Sequence, residues 1–167
     1  AATGLSVNTA YQFTVVARNG DSVDSATSTA SVATYTLANA AGTPTIGTPT
    51  ATTLPITIDV NSNSDATTYA VYNSTDSNYL DSSGASTSTA VYSTTSTLGS
   101  SFAATGLTAN TSYQFTVVAK NGDAVLAATS TASTATYTLA NAAGTATIGT
   151  PTVTTLPITI DSNSNSA

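Results

Sequence analysis

The chain has 167 residues and a formal net charge of −6, from eight Asp against one Arg and one Lys, and it contains no Cys, His, Trp, Met or Glu. Without a basic stripe it has nothing to displace counterions from nucleic acid or to hold an anionic bilayer. Without Cys or His it has no disulfide, thiolate nucleophile, imidazole metal site or Ser-His-Asp triad. No apolar run reaches the roughly 18 residues of a membrane helix, so membrane insertion is not expected, and any export signal is expected upstream of this segment.

Solubility must rest on hydroxyls, since Ser and Thr make up 61 of the 167 residues while charged residues are only 6%. Such a composition suits a mucin-like disordered chain. Here, however, Thr alternates with Val, Ile, Tyr and Phe, the pattern of pleated strands.

In chain order, Tyr11-Gln12-Phe13-Thr14-Val15-Val16-Ala17 is the first strand-like alternation, closed by Asn19-Gly20. The low-complexity joint Leu37-Ala38-Asn39-Ala40-Ala41-Gly42-Thr43 follows and reads as a linker. Leu54, Ile56 and Ile58 then alternate with Pro55, Thr57 and Asp59, as a half-buried strand requires. Tyr69 and Val71 mark the next strand, and Tyr79-Leu80 and Ala90-Val91-Tyr92 are expected in weaker ones, separated by the turn Asp81-Ser82-Ser83-Gly84. Phe102 and Ala104 lead into Gly106-Leu107. Tyr113, Phe115, Val117 and Ala119 then face one side, with Gln114, Thr116, Val118 and Lys120 on the other. Asn121-Gly122 is a strong hairpin signature, and a last strand is expected to carry Ala135, Tyr137 and Leu139. No segment shows a helical period.

Residues 1–65 and 103–167 align without a gap at an offset of 102, with 53 identities in 65 positions. That period is too long for a solenoid unit of about 20–50 residues and matches one sandwich domain of roughly 100. With the joint repeated as Leu139-Ala140-Asn141-Ala142-Ala143-Gly144-Thr145, residues 40–140 form one complete unit. Residues 1–39 are expected to be the end of a preceding unit and residues 141–167 the start of a following one, in a window on a longer array.

The stretch Gly106-Leu107-Thr108-Ala109-Asn110-Thr111-Ser112-Tyr113-Gln114-Phe115-Thr116-Val117-Val118-Ala119-Lys120-Asn121-Gly122, repeated from Gly4 to Gly20, resembles the E–F corner and F strand of fibronectin type III domains. Tyr69-Ala70-Val71-Tyr72 is similar to that family's C strand. The resemblance implies an all-β fold of tandem seven-stranded immunoglobulin-like (fibronectin type III-like) β-sandwiches. Residues 1–39 would then supply strands E, F and G of one repeat, and residues 141–167 strands A and B of another. It also implies a structural tyrosine corner, Leu107 with Tyr113 and, in the first copy, Leu5 with Tyr11. The sequence departs from the family where its usual strand-B Trp and corner Pro are absent; Ile58 lies near the first position and Ala109 takes the second, Val7 in the first copy. Similar Thr/Ser/Ala-rich repeats look like those of large bacterial extracellular and surface proteins.

Asp59-Val60-Asn61-Ser62-Asn63-Ser64-Asp65 places Asp59, Asn61, Asn63 and Asp65 at alternate positions, a spacing that suits a hard cation such as Ca²⁺. The calcium-loop Gly and a bidentate Glu are missing, and the third copy ends in Ala167, so ordinary loop residues are the competing reading. No other cofactor is expected. Asp21, Asp24 and Asp123 fall in the F–G turn, but Asp24 becomes Leu126 in the other copy, so no carboxylate pair for glycoside hydrolysis is retained. Tyr72, Tyr79 and Tyr92 offer rings for stacking on a glycan or, more simply, for covering a sheet face. Asn73-Ser74-Thr75 and Asn110-Thr111-Ser112 match the N-glycosylation pattern, as chance allows in this composition.

The sequence therefore points to a non-enzymatic repeat module of an extracellular or cell-surface appendage, an adhesin stalk or filament. Its expected partners are neighbouring copies of itself, lateral or end to end, with glycans as a second class. A spacer or carbohydrate-binding module of a secreted polysaccharide-degrading enzyme, or a phage tail or capsid decoration domain, are the alternatives.

Overall fold

The computed structural model describes residues 1–100 and 102–165. The described residues are all-β apart from one four-residue helical turn, α1 (Thr95–Leu98), which starts at Thr94, whose side chain accepts from the Thr97 N–H. The central unit contains β3 (Thr45–Ile46), β4 (Leu54–Thr57), β5 (Thr68–Asn73), β6 (Asn78–Leu80), β7 (Ser86–Thr87), β8 (Ala103–Ala104), β9 (Ser112–Tyr113), β10 (Phe115–Lys120), β11 (Leu126–Thr129) and β12 (Thr136–Tyr137). β1 (Ala10–Tyr11) and β2 (Thr34–Tyr35) pair before it, and β13 (Thr147–Ile148) and β14 (Ile158–Thr159) pair after it.

Two sheets make an immunoglobulin-like sandwich, with strand order β3-β4-β8 in one and β11-β10-β5-β6-β7 in the other. Every pairing is antiparallel. β10 sits between β5 and β11, and its side chains alternate as the sequence predicts, with Phe115, Val117 and Ala119 buried. They meet Leu54, Ile56 and Ala104 of the smaller sheet, and Tyr69, Val71, Leu80, Phe102, Leu107 and Tyr113 belong to the same cluster. Burying such side chains contributes roughly 1.5–3 kcal/mol each before entropy is charged.

Three expectations differ from the structure. Residues 90–92 form no strand: β7 lies earlier, and the following Ser93 makes an isolated bridge to Tyr69 of β5. The Asn121-Gly122 hairpin exists, but neither residue has the positive φ of a two-residue turn; Ala124 takes it instead (φ 61°), in a longer loop closed by Asn121 N–H to Val125 O at 3.0 Å. The last strand is interrupted, and Tyr137 and Leu139 are exposed while Ser133 and Thr138 are buried.

That interruption follows a rule. Opposite Val117, Phe115 and Tyr113 stand Ser130, Ser133 and Thr136, so the last strand advances three residues for every two of its neighbour. The spare length is taken up as repeated bulges. At each serine the backbone N–H donates to the facing carbonyl (Ser130 to Val117 O, 2.9 Å; Ser133 to Phe115 O, 2.8 Å). The N–H that would otherwise miss a carbonyl finds the hydroxyl, Val117 N–H to Ser130 Oγ at 2.9 Å and Phe115 N–H to Ser133 Oγ at 3.1 Å. Ser25, Ser28 and Ser31 do the same for Ala17, Val15 and Phe13.

Candidate functional site: the junction between copies

Asn, Thr and Gly side chains and backbone gather where the first copy meets the central unit. Asn8, with φ 43° and only 3% exposed, lies on the corner just before β1. Asn tolerates that left-handed conformation better than a bulky residue. Its Nδ2 donates to Thr67 Oγ1 at 2.8 Å and to Ser64 Oγ at 3.4 Å, and its Oδ1 accepts the Gly122 N–H at 2.9 Å. One amide thus links the loop before β5 to the turn after β10. In return, Asn121 Nδ2 donates to Thr36 O at 3.1 Å, and the Tyr35 N–H donates to Asp123 Oδ2 at 2.8 Å. The Tyr35 ring packs against Gly122 so closely that a Cβ there would fall 2.5 Å from Cε1 and Cζ.

The joint itself is stapled. Asn39 N–H donates to Asn63 Oδ1 at 2.7 Å and Asn63 Nδ2 donates to Asn39 O at 2.9 Å. Asn39 Nδ2 reaches Asn61 O at 3.0 Å, and Asn61 Nδ2 reaches Ala40 O at 2.9 Å. The set recurs at Asn141, Asn163 and Asn165. Ala38 and Ala41 of the joint belong to the buried cluster.

The oxygen-ligand candidates lie in this staple. Asp59 Oδ1 accepts the Asn61 N–H at 2.9 Å, and Gly42 packs so tightly on Asp59 that any Cβ would overlap the carboxylate. Asn61 and Asn63 serve as amide donors, a role a carboxylate has no proton to perform. Asp65 is exposed in the turn before β5. Among the described residues no three of Asp, Glu, His or Cys gather as a metal site.

At the corner, Tyr113 Oη accepts the Thr108 N–H at 2.9 Å beneath buried Leu107, and Tyr11 Oη accepts the Ser6 N–H at 2.9 Å near half-exposed Leu5. Tyr72 and Tyr79 are cross-strand partners with ring centroids 5.0 Å apart and an interplanar angle of 61°, so they pack edge to face. Lys120 Nζ lies 3.9 Å from the centre of the Tyr92 ring. Asn73 is buried, its amide donating to Asp76 Oδ2 at 2.9 Å.

The two cations explain one difference between the copies. Arg18 forks onto Asp24 at 2.6 and 3.1 Å, and this bond raises the guanidinium pKa and lowers that of the carboxyl. Lys120 takes Arg18's place, pairs with Leu126 instead of Asp24, and turns to the Tyr92 ring. Both arrangements are at the surface and are worth little stability.

Nothing in the pattern of alternation singles out Asn8, Tyr35 or Thr36, because their partners across the junction are 56 to 114 positions away; the unchanged recurrence of all three as Asn110, Tyr137 and Thr138 was the available clue. The serine spacing 25, 28, 31 was equally visible.

No family model matches the chain, and no curated protein does. Among solved structures, domains A168-A170 from titin are similar at a TM-score of 0.43 and 19% identity, over 64% of this chain and 35% of that one. The chain thus spans about a third of the length of that structure.

Proposed function

We propose that the chain is a structural repeat module of an extracellular surface appendage, a stalk or filament in which each unit is a spacer docked rigidly on the next. The burial of Asn8 between two loops of the following unit carries this reading. A flexible tether would leave that amide in water, and a buried amide costs free energy unless paired, so the docked geometry is the one the sequence supports. The preceding unit's half of this junction recurs as Asn110, Tyr137 and Thr138, as a repeated head-to-tail contact requires.

End-to-end contact is better supported than lateral strand pairing. The last strand is broken by bulges, and its Ser130 and Ser133 hydroxyls donate to Thr131 O and Thr134 O at 2.9 and 3.1 Å, so it offers no regular ladder to an added strand. Glycan stacking by Tyr72 and Tyr79 is less favoured, because the two rings stand on edge to one another and offer no shared flat face. With neither His nor Cys in the chain, the module has no evident nucleophile–base pair and is proposed to be non-catalytic.

Small-angle scattering on arrays of increasing repeat number tests the reading. A rigid spacer gives a maximum dimension that grows in equal steps. Growth with the square root of repeat number, as for freely jointed beads, contradicts it.

A further inference from the structure

We propose that the Tyr69 hydroxyl couples the two fastenings of the junction, the Asn8 bridge and the Asn39 staple, so that the joint opens or closes as one piece. The inference rests on the docked-spacer reading above and adds the residue on which the joint's cooperativity depends.

Tyr69 lies in β5, 2% exposed, with its ring in the core cluster. The side chains of Asn63 and Thr67 hydrogen-bond its hydroxyl. These same two side chains hold the preceding unit. Thr67 Oγ1 accepts from Asn8 Nδ2 at 2.8 Å, while Asn63 takes the Asn39 N–H at 2.7 Å and donates to Asn39 O at 2.9 Å. The two fastenings therefore meet at one oxygen inside the following unit.

The protons balance along this chain. Thr67, having accepted from Asn8, keeps its own hydroxyl proton to donate. The Asn63 amide uses one N–H on Asn39 O and keeps the other. Both remaining protons can go to Tyr69 Oη, whose own proton points to Val60 O at 3.5 Å. Burial is the largest influence on the phenol and raises its pKa; the Asn63 and Thr67 bonds oppose that rise, as donation to the oxygen does. The backbone between them is also fixed, with Asn63 N–H donating to Val60 O at 3.0 Å and Thr67 N–H to Ser64 O at 2.9 Å. If Asn8 withdraws, Thr67 loses a donor and its hydroxyl turns toward a new partner. Tyr69 Oη then loses a donor in turn, in a place where a buried polar atom is costly to leave unpaired. The disturbance passes to Asn63 and so to Asn39, and by linkage the reverse path carries the same coupling.

The experiment is amide hydrogen exchange on the whole chain. The Gly122 N–H, held by Asn8 Oδ1, reports the bridge, and the Asn39 N–H, held by Asn63 Oδ1, reports the staple. The Val117 N–H, held by Ser130 Oγ, reports the sandwich. Asn8→Ala is expected to lower protection at Gly122 directly and at Asn39 by about fivefold or more, the low end of coupling between sites. In a Tyr69→Phe chain the same Asn8→Ala change should leave Asn39 unmoved, with Val117 protection certifying a folded core. Thr67→Val cuts the chain one link earlier with Tyr69 in place, and serves as the second background should Tyr69→Phe unsettle the core; there too Asn8→Ala should not move Asn39. The inference is overturned if Asn39 ignores Asn8→Ala in the otherwise unaltered chain. It is equally overturned if Asn39 loses as much protection in either background, since the coupling would then run along the backbone from Thr36. Gly122 and Asn39 both unprotected in the unaltered chain would sink the docked-spacer reading and this inference together; both protected but independent would sink only this one.

Discussion

Ser133 gives its backbone N–H to the Phe115 carbonyl and takes the Phe115 N–H on its own hydroxyl, so one serine closes both hydrogen bonds of a residue whose side chain is fully buried. Ser133→Ala leaves the Phe115 N–H without a partner in a region closed to water. The expected cost is about 1–3 kcal/mol, the desolvation penalty of an orphaned donor. Urea unfolding curves with an unchanged m-value measure it; a cost under about 0.5 kcal/mol would show that water reaches the Phe115 N–H.

Gly122→Ala is expected to loosen the junction and spare the sandwich. The added methyl meets the Tyr35 ring, and the contact is most easily relieved by separating the units. Amide exchange at residue 122 should accelerate by roughly tenfold or more, the factor that about 1.4 kcal/mol of lost docking gives. Exchange at Val117 should not change. Gly20→Ala, with no atom nearby, should not alter exchange at either site.

Tyr113→Phe removes the hydroxyl that accepts the Thr108 N–H and should cost about 1 kcal/mol. For a unit of this size that lowers the melting midpoint by about 4–8 °C, readable by calorimetry.

The turn between β6 and β7 should weaken in acid. Asp81 accepts the Ser83 hydroxyl at 2.7 Å and the N–H groups of Ser83 and Ala85 at 2.8 and 3.0 Å, with the hydroxyl bond first among the causes that hold its pKa below the ordinary carboxylate value. A depressed folded-state pKa means that the turn's stabilisation is complete above the unfolded value and is lost as pH falls through the folded one. Protection of the Ala85 amide, measured against the intrinsic exchange rate at the same pH, should therefore fall at acid pH. Asp81→Asn should make that protection independent of pH across the window.

Local information determined much of this molecule. Strict alternation from Tyr113 to Lys120, and from Leu54 to Ile58, set which side chains face the core, because a pleat with period two admits only one burial pattern per register. The 102-residue offset marked the repeat before any contact was known. Tertiary structure alone decided what the polar residues do. Whether Asn8 lies in water or in a buried bridge depends on Thr67 and Gly122, far away in the chain. Whether Asn61 and Asn63 turn their amides to the joint depends on how closely Gly42 lets Asp59 approach. Apolar side chains reveal their side by period, since burial has no direction. A hydrogen bond needs a particular donor and acceptor at about 3 Å, and only the folded chain brings them together.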